Sequence, residues 1–262
     1  MLEIKTVTPD IFCIHVPYRD IFVAIYMIRT ERGTVLFDAA GFHDDLDTYI
    51  LPALQQLGLA PTHIFISHNH SDHSGGLARA AELFPDAVIL SRSDKLQETY
   101  PNVCHFEDGE RLLDVLQAVT IPGHTEDSAA LLDLRTGTLV SGDCLQSFGI
   151  YGSGRWYGNI RFPAAHVAAI AKLRTLPLET VATAHDYHPC GVVSVGKEAI
   201  RERLDTCIEA LIRLRDMADA HPEADDQQVA DLCNDGVYPT VGAHVITALR
   251  KAAEDSAFAL NV

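Results

Sequence analysis

Short apolar runs recur along the first 195 residues, and many end abruptly in glycine, aspartate or histidine. Residues 11–15, 21–29 and 34–38 read as strands, the last two joined by a turn at 30–33. Residues 44–57 place Leu46, Ile50, Leu54 and Leu57 on one helical face, and Gly58 closes the helix. The run 62–66 is a buried strand. After Gly75 the spacing of Leu77, Ala81 and Phe84 predicts an amphipathic helix. Strands follow at 87–91, 115–121, 131–134, 138–141 and 180–185, those at 131–134 and 138–141 forming a hairpin, with a helix at 164–176 ended near Pro177. From Gly196 the pattern turns helical in three pieces, 197–220, 225–234 and 241–256. The chain thus divides into an α/β domain over 1–195 and a helical C-terminal extension over 196–262 that packs on it.

Composition narrows the possibilities. At 262 residues and 47% hydrophobic, the chain can bury a full core. Twenty Lys plus Arg against 36 Asp plus Glu leave a net charge of −16, which argues against nucleic acid as a partner. No apolar run approaches the ~20 residues of a membrane span, and residues 1–5 show no basic stretch with an apolar one following, so no signal peptide is expected. Six scattered cysteines without CxxC pairs suit free thiols, so a cytoplasmic protein is expected.

The chemistry concentrates in Ser67-His68-Asn69-His70-Ser71-Asp72-His73-Ser74-Gly75-Gly76. Three imidazoles and a carboxylate within six residues make a metal-binding segment, because imidazole is the commonest metal ligand and a carboxylate adds charge and a hard oxygen donor. The segment lies between a strand and a helix. His68 and His70, two apart, point the same way from extended backbone, and Asp72 and His73 follow on the turn. Further apolar runs end in Asp or His at Asp38, Asp143 and His185, and His124 lies just beyond another. Strand ends suit such residues, since the sheet fixes the backbone while the loop lets side chains converge.

The HxHxDH run, followed in order by Pro122-Gly123-His124-Thr125, Ser141-Gly142-Asp143 and Ala184-His185, resembles the metallo-β-lactamase superfamily along most of the chain. The resemblance implies that family's αββα sandwich, with two mixed sheets face to face and helices outside. It also implies two divalent metal ions, zinc first, with iron or manganese compatible. His68, His70 and His124 would hold the first ion, Asp72, His73 and His185 the second, and Asp143 would bridge them. Asp38, matching the family's first motif, would support the ligands without binding metal. The implied reaction is hydrolysis by a metal-bound hydroxide, with Asp72 and Asp143 as the catalytic carboxylates and no Ser or Cys nucleophile.

The segment Gly152-Ser153-Gly154-Arg155-Trp156-Tyr157-Gly158 is similar to the glutathione-binding segment of glyoxalase II enzymes, and Ala184-His185-Asp186-Tyr187 is similar to that branch's GHEY. Ser153 and Trp156 depart from its Cys and Phe. On this likeness Arg155, Tyr157 and Tyr187 line a pocket for a small-molecule thioester or ester. A lactonase of the same fold is the first alternative, although Gln146 stands where lactonases carry a catalytic Tyr. A mononuclear-iron persulfide dioxygenase and a non-catalytic metal sensor are the others. The helical extension could also support a homodimer.

Overall fold

The computed structural model describes residues 2–150, 158–234 and 241–253. Among the described residues the fold is mixed α/β, with sheets of seven and six strands and a helical C-terminal region. By contact density the chain forms two compact units. The first holds residues 1–120 and 129–142, the second 121–128 and 143–262.

The first unit opens with the antiparallel strands β1 (Lys5–Thr8), β2 (Ile11–Tyr18), β3 (Ile21–Thr30) and β4 (Gly33–Phe37). A helical crossover follows, made of α1 (His43–Asp45), a π turn at Leu46–Ile50 and α2 (Leu51–Leu57). A parallel neighbour needs such a crossover, and β5 (Pro61–Phe65) duly lies parallel to β4, pairing Leu36 with Ile64 and Phe37 with Phe65. The expected single helix over 44–57 is therefore interrupted. Pro52, at the start of α2, has no N–H for the α ladder, and the π turn lies just before it. Gly58 ends α2 in the left-handed conformation at φ +66°, as its position suggests.

Beyond β5 come α3 (Ser71–Ser74), α4 (Leu77–Leu83), β6 (Val88–Leu90), α5 (Asp94–Thr99) and β7 (Val103–Cys104); β6 and β7 continue the sheet in parallel. In the same unit, β8 (Arg111–Leu112), β9 (Leu116–Thr120), β10 (Ala129–Asp133) and β11 (Thr138–Val140) run antiparallel, and β10 with β11 is the expected hairpin. Every residue from Val23 to Ile28 is buried, so β3 reads as a continuous apolar run rather than an alternation. Phe37, Phe65 and Phe106 stack in series at centroid separations of 5.3 and 4.9 Å, forming an aromatic spine beneath the ends of β4 and β5.

The second unit holds α6 (Pro163–Arg174), the antiparallel pair β12 (Thr180–Tyr187) and β13 (Gly191–Val195), and the helices α7 (Lys197–Ala220), α8 (Asp226–Cys233) and α9 (Ala243–Ala253). The 24-residue α7 matches its sequence reading at both ends and buries Ile200, Leu204, Ile208 and Leu211. It also buries Arg203 completely. That guanidinium donates to Ser194 Oγ at 2.9 Å, Cys190 O at 3.1 Å and Gly191 O at 2.8 Å, tying α7 to the β12–β13 turn. Asp225 and Gln228 form a capping box at the start of α8. All six cysteines are free thiols, and burial pushes that of Cys13 up to about 12. Among the described residues no helix is long and apolar enough to cross a membrane.

Candidate metal centre

In the first unit the parallel register of β4 and β5 carries the chain past Phe37 and Phe65 side by side, setting Asp38 next to Ser67. Asp38 is fully buried at φ +65°, and its N–H donates to Phe65 O at 2.8 Å. Its carboxylate accepts three hydrogen bonds: from Ser67 N–H at 2.7 Å, from Ser67 Oγ at 2.9 Å and from His73 Nδ1 at 2.7 Å. The tautomers follow from this arrangement. His73 must carry its proton on Nδ1 to donate to a carboxylate, which leaves the Nε2 lone pair for a cation. Ser67 Oγ spends its proton on Asp38 and can accept from His68 Nδ1, 3.0 Å away. His68 therefore also turns an unprotonated Nε2 outward.

That nitrogen lies 3.0 Å from His70 Nδ1, and His73 Nε2 lies 3.6 Å from Asp72 Oδ2. Two ring nitrogens this close need a proton or a cation between them, so the donor set fits a metal. The short helix α3 makes the approach possible. His73 and Ser74 N–H groups both donate to His70 O, and Ser74 Oγ donates to Asn69 Oδ1 at 3.0 Å. Gly75 and Gly76 let this turn press on the 39–41 loop: a Cβ on Gly75 would stand 2.0 Å from Gly41 O, and one on Gly76 2.2 Å from Ala39 O. Gly142, at φ +55°, similarly lets the end of β11 pass Ser67, whose Oγ would stand 2.7 Å from an added Cβ.

In the second unit His124, Asp143 and His185 come together, all buried. Asp143 Oδ2 lies 3.6 Å from His124 Nε2, and its Oδ1 lies 3.3 Å from His185 Nε2. One carboxylate thus faces two imidazoles through different oxygens, as a shared ligand would. His124 Nδ1 sits 2.6 Å from Asn159 O, so with the proton there the Nε2 lone pair is the one that could meet a cation. Gln146 Nε2 approaches the same Nδ1 at 2.7 Å. Behind the turn, Gly123 packs on His166, where a Cβ would fall 2.6 Å from the His166 Cβ. Burial lowers His166 to about 4, so it is a neutral wall.

Tyr187 is completely buried, its ring edge-on to His185 at 5.7 Å. Cys144 is buried beside Asp143. Arg155 and Tyr157 lie outside the described residues. Sequence reasoning passed over Ser67, Asn159 and His244, and saw Gln146 only as the residue standing in a lactonase tyrosine's place. Ser67 abuts the histidine run and could have been suspected as a hydroxyl relay. Asn159 acts on His124 through its backbone carbonyl, which no residue type announces.

A sequence model of the metallo-beta-lactamase superfamily matches residues 18–185. A hydroxyacylglutathione hydrolase of Xanthomonas axonopodis pv. citri (strain 306) is 36% identical over 142 residues, which are 53% of this chain and 52% of that protein. A Bacillus subtilis (strain 168) protein described as uncharacterized is 32% identical over 168 residues, 54% of this chain and 70% of its own length. The chain thus spans about half the length of that hydrolase. In fold, it aligns with a metallo-beta-lactamase family protein of Thermus thermophilus at a TM-score of 0.69 and 17% identity, covering 94% of this chain and 92% of the other. The match to the superfamily's sequence model begins at Tyr18 on β2 and runs through the histidine segment, His124 and Asp143 to His185. The chain belongs to the metallo-beta-lactamase superfamily.

Proposed function

We propose that the protein is a metal-dependent hydrolase of thioesters or esters, working with two divalent cations, zinc foremost. The observation that carries this reading is the double use of Asp143. In the second unit its two oxygens face His124 and His185 separately, and in the first unit His68 approaches His70 and His73 approaches Asp72. His68, His70, His124 and Asp143 are proposed to hold one ion, and Asp72, His73, Asp143 and His185 the other. Bound cations would supply Lewis acidity toward a carbonyl oxygen and would acidify a water molecule.

The chain's own groups do the rest. Asp38 and Ser67 lock the tautomers of His73 and His68. Asp143 balances charge from a buried position, while Asp72 keeps 15% of its side chain exposed and can accept a hydrogen bond from an incoming water, orienting it toward the acyl carbon. Arg155 and Tyr157 are proposed to bind the substrate's anionic portion, a reading supported by their glyoxalase II-like segment and by the relatives named hydroxyacylglutathione hydrolase. Tyr187, buried behind His185, would keep that ring in place at the pocket wall. Gln146 is engaged with His124 and with Asn159 N–H, which supports a thioester or ester over a lactone substrate.

The test is a substrate panel of acyl-glutathione and other acyl thioesters, simple esters, lactones and β-lactams, run on protein loaded with zinc, iron or manganese. Thioester or ester turnover that a chelator abolishes and metal restores is expected. Fully loaded protein that leaves every thioester and ester intact would contradict the proposal.

A further inference from the structure

The C-terminal helical region reaches one ligand through a short chain of hydrogen bonds. His244, on the first turn of α9, approaches Asn159 Oδ1 with its Nε2 at 2.6 Å. Asn159 N–H donates to Gln146 Oε1, and Asn159 O accepts from His124 Nδ1 at 2.6 Å. A single residue therefore commits its side-chain oxygen, its backbone N–H and its backbone carbonyl in three directions. The following residues press on the same turn, because the N–H groups of Arg161 and Phe162 both donate to Gly123 O at 2.9 Å. Glycine at 158 is required for the approach: a Cβ there would lie 2.7 Å from Gln146 Cβ.

The far end of this chain is also fixed. Val245, Ile246 and Leu249 of α9 are buried, Arg250 pairs with Asp226 at 2.9 Å, and Asn234 holds Val241 by two hydrogen bonds of 2.8 and 3.0 Å. His244 is thus presented from an anchored helix rather than from a loose end.

We infer that His244 and Asn159 are positioning residues for the metal ligand His124, so that α9 sets the tautomer and ring angle of that imidazole through the 158–162 segment. The inference rests on the metal-centre reading above. The physical need is specific. His124 Nδ1 has two neighbours, a carbonyl at 2.6 Å and the Gln146 amide nitrogen at 2.7 Å. Only the carbonyl favours the Nδ1–H tautomer that frees Nε2 for a cation; an amide N–H donating to Nδ1 would favour the other. Holding Asn159 O in place decides between them.

The experiment compares His244→Leu, which fills the space without donating, with His244→Gln, whose amide can donate from the position of Nε2. Asn159→Ala removes the acceptor without touching α9. Zinc affinity is measured by competition with a chromophoric chelator, cobalt-substituted protein supplies a ligand-field spectrum, and circular dichroism monitors folding. His244→Leu and Asn159→Ala should each weaken one of the two metal equivalents by about 10-fold and shift the cobalt bands, with the other equivalent unchanged. His244→Gln should stay within about 3-fold of wild type, and the double variant should add little to either single one. Variants that bind zinc and cobalt as wild type does would overturn this inference alone. Wild-type protein that takes up no metal would overturn the metal reading and this inference with it.

Discussion

The two halves of the proposed metal centre hold their imidazoles by different means. In the 67–76 segment a side-chain carboxylate and a hydroxyl set the ring protons: Asp38 takes His73 Nδ1 directly and His68 through Ser67. Around His124 the partner is a backbone carbonyl, that of Asn159, steadied by a glutamine amide and by a helix about 85 residues further along. The first arrangement puts a negative charge behind two ligands and raises their basicity. The second puts a neutral dipole behind one. Substitutions should therefore damage the two halves to different degrees and in different ways.

The largest effect is expected at the residue common to both proposed sites. Asp143→Ala removes the carboxylate between His124 and His185 and leaves two cations without a shared counter-charge. Metal affinity should fall more than about 100-fold, beyond the usual cost of losing a supporting group. Isothermal titration of metal-free protein measures this, and an affinity unchanged within about 3-fold would remove Asp143 from the ligand set.

Asp38→Asn comes next, at about 10–100-fold in metal affinity or activity. An amide can accept at one end only. Its NH2 group would face either His73 Nδ1–H or the Ser67 donors, forcing one histidine into the wrong tautomer. Ser67→Ala should cost less, because it breaks the relay to His68 and spares both the direct bond to His73 and the backbone N–H bond to Asp38; the two lost Oγ hydrogen bonds, at ~0.5–1 kcal/mol each, are worth about 5–30-fold. If Ser67→Ala proved the more damaging of the two, the charge of Asp38 would not be the main support of this half.

These two residues also mark how far the sequence could be read. The histidine run, the apolar runs leading to Asp38 and His185, and α7 all carry a local signal: clustered ligand types, a sharp apolar-to-polar boundary, or a sustained helical period; β12 itself continues past His185 to Tyr187. β13 is harder to place, because its three valines are part-exposed or exposed and Ser194 is the residue it buries. α5 is polar except at Leu96, the residue it buries; its further clue is the Ser93 cap, which accepts from Leu96 N–H. The π turn before Pro52 is invisible to periodicity alone. The support of His124 escaped for a related reason. Its atoms belong to the backbone of residue 159 and to a histidine in a region of ordinary amphipathic helix, so neither spacing nor residue type singled them out.

The smallest of these effects is expected at Arg155, which lies outside the described residues and is proposed from its segment alone. Arg155→Ala should raise KM several-fold for an anionic thioester and leave kcat and metal content near wild type. A neutral ester should show little change. Equal KM values for both substrates in variant and wild type would remove the argument for recognition of an anionic, glutathione-like substrate.

The central claim is that seven side chains, His68, His70, Asp72, His73, His124, Asp143 and His185, hold two metal ions per chain. The most direct measurement is elemental analysis of protein purified without chelator and then saturated with zinc, read beside Asp143→Ala prepared identically. Two equivalents in the wild type, with at least one lost in the variant, are predicted. One equivalent or none in fully loaded wild-type protein would contradict the account.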